Sequence, residues 1–315
     1  MMLSQEAFLA RIQPKAGRPI PMVLDTDTYN EVDDQFCLAY SLLSGGFDVK
    51  AVFAAPFFNS RSSGPADGME RSYQEILKLL DLMQLPQDPP VFRGSTAYMT
   101  QPDVPVDSPA ARELIRLALA QPVDDPLYVV TIGCPVNVSS AILMEPEIIN
   151  HIVLVWLGGN PSYWDTACEF NLMQDPMASA VMMDCGAPLV MFPCQQVTDH
   201  LTTTLPELAY YLEDSSPLGQ YLYRFVADYA AEFHAGMAWS KVIWDPITVL
   251  WMLHPEALKT QLVHTPALSY VPGEASTSEN LKWLPRPDAP WMLEIINVNR
   301  DVLFADLFRL LGTKR

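Results

Sequence analysis

The sequence predicts an α/β fold with a mainly parallel central sheet and flanking helices, a Rossmann-like arrangement in a single domain. Three observations predict it. Short, almost continuously apolar runs recur along the chain, patterns of helical spacing fall between them, and turn residues separate the two. Runs such as LYVVTIG (127–133), HIVLVWLGG (151–159) and APLVMFP (187–193) have no polar face, which suits strands covered by helices on both sides.

The elements follow in order. SQEAFLARI (4–12) reads as a short amphipathic helix behind a Ser4 cap. PMVLDTD (21–27) reads as a strand, and DQFCLAYSLLSGG (34–46) as a helix with Phe36, Leu38, Ala39, Leu42 and Leu43 at helical spacing and Gly45 past its end. DVKAVFAAPF (48–57) is a second strand. MERSYQEILKLLDLM (69–83) is a helix with Tyr73, Ile76, Leu77, Leu80 and Leu82 near one face. PPVFRG (89–94) is a short strand and AARELIRLALA (110–120) a helix, ahead of the three apolar strands already named. The later chain is more helical, through 216–233 and DPITVLWML (245–253). It closes with a strand at WMLEIINV (291–298) and a helix at RDVLFADLFRLL (300–311), stopped by Gly312. The 28 prolines are dispersed, with no repeat or low-complexity linker, so one domain over 1–315 with its core at about 20–311 is expected.

Composition removes several functions. A net charge of -18 opposes binding to a phosphate backbone, which needs Lys and Arg to displace counterions. No apolar run is long enough to span a bilayer, and the N-terminus lacks a basic-then-apolar signal pattern. The five cysteines (37, 134, 168, 185, 194) are scattered and odd in number, which predicts reduced thiols and a cytoplasmic location.

LDTDTYNEVDD (24–34) crowds five acidic side chains into eleven positions directly after an apolar strand. In open α/β sheets ligands bind beyond the C-terminal strand ends, where Asp25, Asp27, Asp33 and Asp34 would sit. Capping of the next helix could use one or two of these acids; a hard cation with oxygen ligands accounts for all of them. An EF-hand loop counted from Asp25 would need Gly and Glu where Asn30 and Phe36 stand. DTDT also resembles the haloacid dehalogenase-type phosphatases, but Tyr29 stands where they need Thr or Val, and Asp33–Asp34 comes too early for their later metal motif.

DTDTYNEVDD is similar to the opening signature of the calcium-dependent, inosine/uridine-preferring nucleoside hydrolases (nucleoside N-ribohydrolases), with Tyr29 in place of Gly and Glu31 in place of Asp. Three later segments resemble the same family in order: TIGCPVNVSSAI (131–142), WLGGN (156–160) with CEFNLMQDP (168–176), and VIWDP (242–246). The resemblance implies hydrolysis of a ribonucleoside to ribose and free base. Ca²⁺ would be ligated by Asp27, Asp34, the Val136 carbonyl and Asp245, with Asp25 supporting or joining that shell. Asp27 would act as general base, and Asp33, Asn160, Glu169 and Asn171 would bind ribose hydroxyls, with Asn59 as a further contact. It also implies a homodimer or homotetramer.

Local readings compete with these roles. Asn160 and Asn59 also read as turn residues, Glu169 as a solvated loop charge, Asn171 as the cap of the helix through QDPMASAVMM, and Asp245 as a helix cap before Pro246. Many relatives carry a His before the late Asp as general acid; Trp244 stands there, and indole cannot donate a proton in that role. The resemblance is therefore to a branch without that His. Trp244, Tyr29, Tyr163 and Trp164 are candidates for stacking on the base, and His200 or His234 for donating a proton. A non-catalytic nucleoside- or ribose-binding protein and a hydrolase of another N-ribosylated metabolite are the alternatives. No Lys or Arg lies inside the quoted motifs to offset the repulsion of a substrate phosphate, which favours a nucleoside. The segment 54–76 reads as a mobile loop, with Arg61 and Glu70 as possible substrate contacts.

Overall fold

The computed structural model describes residues 3–85 and 88–312, so the expected limits at 1 and 315 lie outside the described residues. The chain runs through Gln5–Arg11 (α1), Ile20–Thr26 (β1), Asp34–Leu43 (α2), Phe47–Ala54 (β2), Pro65–Leu82 (α3), Val91–Arg93 (β3), Pro109–Ala120 (α4), Leu127–Thr131 (β4), Val136–Met144 (α5) and Ile152–Leu157 (β5). It continues through Phe170–Gln174 (α6), Pro176–Asp184 (α7), Leu189–Phe192 (β6), Thr202–Thr203 (β7), Leu205–Leu208 (α8), Pro217–Phe233 (α9), Lys241–Val242 (β8) and Pro246–Leu253 (α10). Leu258–His264 (β9), Ala267–Ser269 (β10), Lys282–Leu284 (β11), Trp291–Val298 (β12) and Arg300–Leu311 (α11) complete it.

Eight strands form one sheet in the order β3-β2-β1-β4-β5-β6-β12-β9. Every neighbouring pair is parallel except β12–β9. The expected apolar strands are present, and alternation along them fills two cores. Met22 and Leu24 of β1 point into one and Val23 into the other; Val153, Val155 and Leu157 of β5 oppose Ile152, Leu154 and Trp156. Burying such a side chain contributes roughly 1.5–3 kcal/mol, so a strand with two covered faces can carry almost no polar residue. Helix starts follow ordinary capping chemistry: the Ser4, Ser108 and Ser216 hydroxyls accept from the backbone N–H three residues on.

The chain order reverses between β1 and β4, which run side by side. A crevice opens beyond the carboxyl ends of such a pair. Several features differ from the sequence expectation. Helix α3 begins at Pro65, so the segment read as a loop through 54–76 is helical from there on. Strands β7, β8, β9, β10 and β11 and helices α5, α6 and α8 form where the sequence pattern predicts no element.

Candidate active site

The acidic turn opens into that crevice. Asp25, at the end of β1, is fully buried; its carboxylate accepts from Thr131 Oγ1 and Asn137 Nδ2, both at 2.8 Å. With both oxygens bound to β4 and α5, Asp25 supports the turn from beneath. Burial raises its pKa to about 6 despite these bonds.

Asp27, Asp33, Asp34 and Asp245 line one cavity of about 460 Å³. All four are at least 97% buried. One carboxylate oxygen each from Asp33, Asp34 and Asp245 lies within 4.8 Å of the others, a spacing that a single cation can bridge. With the carboxylates ionised, neither oxygen of Asp27 and not Oδ2 of Asp245 has a donor. Capping does not account for them: Asp33 and Asp245 stand at the N-caps of α2 and α10, yet neither side chain makes a capping bond. Asp34 accepts from Thr26 Oγ1 at 2.5 Å.

This crowding is expensive. Burial first, then Asp34 and Asp33, push Asp27 well above the carboxylate range. Burial, Asp33 and Asp34 do the same to Asp245. Asp34 is raised to about 8 by burial and Asp33. Asp33 reaches only about 6, because Lys241 offsets part of the effect of burial. Orphaned acceptors and mutual repulsion are both relieved by a hard cation with oxygen ligands, so the donor set fits Ca²⁺.

Asn160, Glu169, Asn171 and Asn59 all line the cavity. Asn160 follows Gly159, whose φ of +71° is the left-handed conformation that favours glycine and turns β5 back toward the cavity. Asn160 Nδ2 donates to the Cys168 carbonyl and its own carbonyl accepts from Trp283 Nε1, leaving the buried Oδ1 without a donor. Glu169 is not a solvated charge: it caps α6, accepting from the N–H groups of Gly159, Asn171 and Leu172. Burial nevertheless raises its pKa. Asn171 is not the cap of the next helix, a role filled by Asp175; its Nδ2 bridges the carbonyls of Ile132 and Leu157 at the ends of β4 and β5. Asn59 donates to Asn30 and accepts from the Arg61 N–H.

A family model described as inosine-uridine preferring nucleoside hydrolase matches residues 22–295. The chain belongs to this family. Relatives include the pyrimidine-specific ribonucleoside hydrolase RihA of Salmonella dublin, 26% identical over 76% of this chain and 82% of RihA. Among solved structures, the plant nucleoside hydrolase PpNRh1 superposes with a TM-score of 0.70 at 19% identity, covering 93% of this chain and 99% of that one. An inosine-guanosine nucleoside hydrolase gives 0.71 at 17% identity, covering 94% and 99%. At these identities the structural likeness speaks for the fold.

Within this nucleoside hydrolase fold, Val136 opens α5 and its side chain packs with Met99, Cys134 and Ala178. Of the aromatics expected at the base, Trp244 lines the cavity. Tyr29, Tyr163 and Trp164 are not among its lining residues; Tyr29 packs on Phe225 and under Arg61, and Tyr163 is exposed. His200 pairs with Asp199, His234 stacks on Trp239, and no histidine is among the described lining residues. Glu70 pairs with Arg93 on the surface.

The lining includes Phe170, Tyr229 and Phe233, which sequence reading did not single out. Tyr229 and Phe233 are four apart on α9, a spacing that core packing uses equally. Two cations stand at or beside the cavity. Arg61 lines the cavity, and Lys241, four residues before Asp245, is nearly fully buried beside Glu31 and Asp33. The site is therefore not free of basic residues, as the motifs alone suggested.

Proposed function

We propose that this protein hydrolyses the N-glycosidic bond of ribonucleosides, releasing ribose and free base in a Ca²⁺-dependent reaction. The observation that carries this reading is a cavity wall made of acceptors that lack donors: both Asp27 oxygens, Asp245 Oδ2 and Asn160 Oδ1. A cation takes the carboxylate oxygens, and a ligand rich in hydroxyl donors, such as a ribose diol, satisfies what remains beside it.

In this reading Asp27, Asp34, the Val136 carbonyl and Asp245 hold the ion. Bound Ca²⁺ supplies Lewis-acid chemistry, acidifying water and orienting vicinal hydroxyls. Asp27 takes the proton of the attacking water as general base. Asp33, Asn160, Asn171 and Asn59 accept from or donate to the sugar hydroxyls. Glu169, already bonded to three N–H groups, fixes the turn that presents Asn160 and adds negative charge. That charge favours a ribosyl group becoming oxocarbenium-like.

Trp244, Phe170, Tyr229 and Phe233 are the aromatic residues of the cavity lining, on which a planar base can stack. With Trp244 in place of a histidine, easily expelled bases are favoured. The named relatives differ in the bases their names give, so purine and pyrimidine nucleosides both belong in the assay. A binding-only protein is the second reading, favoured by Trp244 and by the lack of a histidine among the described lining residues. Ribose release from a nucleoside panel, with and without chelator, separates the two. Release abolished by chelator and restored by Ca²⁺ supports the hydrolase; binding without release supports the alternative. The expected homodimer or homotetramer is measurable by light scattering. Five free cysteines support a reducing, cytoplasmic location. Among the described residues no helix is long and apolar enough to cross a membrane.

A further inference from the structure

Lys241 has no part in the roles above, yet its side chain is only 5% exposed and sits against the acidic turn. Its Nζ lies 2.8 Å from Glu31 Oε2 and 3.8 Å from Asp33 Oδ1. Burying an ammonium this deeply costs several kcal/mol unless its partners are well placed. Lys241 belongs to β8, which pairs with β7, so the backbone of the ammonium is itself anchored.

Glu31 is held at three points. Its Oε2 takes Lys241, its Oε1 accepts from the Tyr229 hydroxyl at 3.3 Å, and its carbonyl accepts from Arg61 Nη1 at 2.9 Å. Asp33 is fixed by the same segment: Oδ2 accepts from the Trp244 N–H at 3.2 Å, while Oδ1 faces Lys241 and accepts from the Val32 N–H. Asp27, by contrast, has no donor at either oxygen.

We propose that Lys241 and Glu31 form a resident ion pair that draws Asp33 out of the trio it makes with Asp34 and Asp245, committing Asp33 and the Tyr229 hydroxyl to the sugar side and leaving Asp27, Asp34 and Asp245 to the metal ion. Lys241 is then a positioning residue for the reaction proposed above, on which this inference rests. Its positive charge opposes ion binding, so its removal harms sugar binding without harming the ion site.

The test is calorimetric titration of the full-length protein with Ca²⁺, and then with D-ribose at saturating Ca²⁺. It compares wild type, Lys241→Met, Lys241→Arg and the charge-balanced Lys241→Met/Glu31→Gln. Lys241→Met is expected to weaken D-ribose about tenfold or more, while Ca²⁺ affinity stays the same or tightens. Lys241→Arg, which keeps the charge, recovers D-ribose affinity relative to Met. Should Lys241→Met fail to fold, the double variant carries the same expectation without an unpaired Glu31 carboxylate. D-ribose affinity within about twofold of wild type, or Ca²⁺ and D-ribose weakening in step, overturns the proposal. So does a wild-type protein that does not bind D-ribose. Nucleoside cleavage by the same wild-type sample is scored separately: the ribose effect without cleavage removes the hydrolase reading and leaves the pairing intact.

Discussion

Asp27, the general base of the proposed reaction, stands in surroundings that disfavour its charge. Its buried carboxylate has no donor and faces Asp34 and Asp33, so it destabilises the metal-free fold that carries it. Asp27→Asn removes that repulsion at nearly constant shape. Its metal-free form is expected to melt a few degrees higher than wild type, while ribose release falls by roughly 10²–10⁴-fold. Melting curves beside turnover check both, and a variant that keeps wild-type turnover removes Asp27 from the reaction. Trp244→Ala is expected to raise KM about tenfold for a nucleoside without shifting Ca²⁺ affinity, if the indole packs on the base. Unchanged KM assigns Trp244 to wall packing alone. The sequence marks which acids are unusual but not which of them is satisfied. Asp25 and Asp27 are two positions apart with the same side chain and both are buried, and only Thr131 and Asn137, over a hundred residues away, separate a supporting carboxylate from one left without donors. Lys241 was illegible for the same reason: its partner Glu31 is 210 positions distant.

Among the elements, those with a strong periodic or continuous apolar signal were legible. Strands β1, β4, β5 and β6 are buried along their full length and read as apolar runs, broken only at the carboxyl ends of β1 and β4 by Asp25, Thr26 and Thr131. Strand β9 is an edge strand whose Lys259 and Thr260 are exposed, so it shows neither a continuous run nor clean alternation. Helix α5 is buried from Val136 through Ile142, and a helix covered all round has no polar stripe to betray it. Helix α3 starts at Pro65 within a stretch whose Gly and Pro content imitates a loop. Gly68 is there for packing: a Cβ at that position would meet the Phe57 carbonyl oxygen at 2.0 Å. Gly68→Ala is therefore expected to cost about 1–3 kcal/mol and, by displacing the Phe57–Asn59 backbone, to raise KM more than it lowers kcat. Denaturant unfolding together with steady-state kinetics checks it; a stable variant with normal KM means the loop does not shape the site.

The whole molecule carries this strain as a pH dependence. Asp34 at about 8 and Asp25 and Asp33 at about 6 lie above the value near 4 of an unfolded carboxylate, and Asp27 and Asp245 are displaced the same way. The folded, metal-free protein thus binds more protons than the unfolded chain between about pH 4 and pH 8. Its stability must fall as pH rises through that window. Saturating Ca²⁺ replaces those protons and should flatten the curve, with the larger gain in melting temperature at the upper end. A metal-free protein that grows more stable toward pH 8 contradicts this assignment. The sheet order could be anticipated only in part: a mainly parallel sheet follows from the apolar runs, but the return of β12 beside β6 depends on pairing between distant segments.

The acidic turn and Asp245 approach one another from opposite ends of the chain, and whether they hold an ion together is directly measurable. Equilibrium dialysis of the metal-free protein against Ca²⁺ should give one ion per chain in the wild type and a loss of that ion in Asp245→Ala, with the variant still folded. Absence of bound Ca²⁺ in the wild type, or retention of the ion by Asp245→Ala, would contradict the metal site described here.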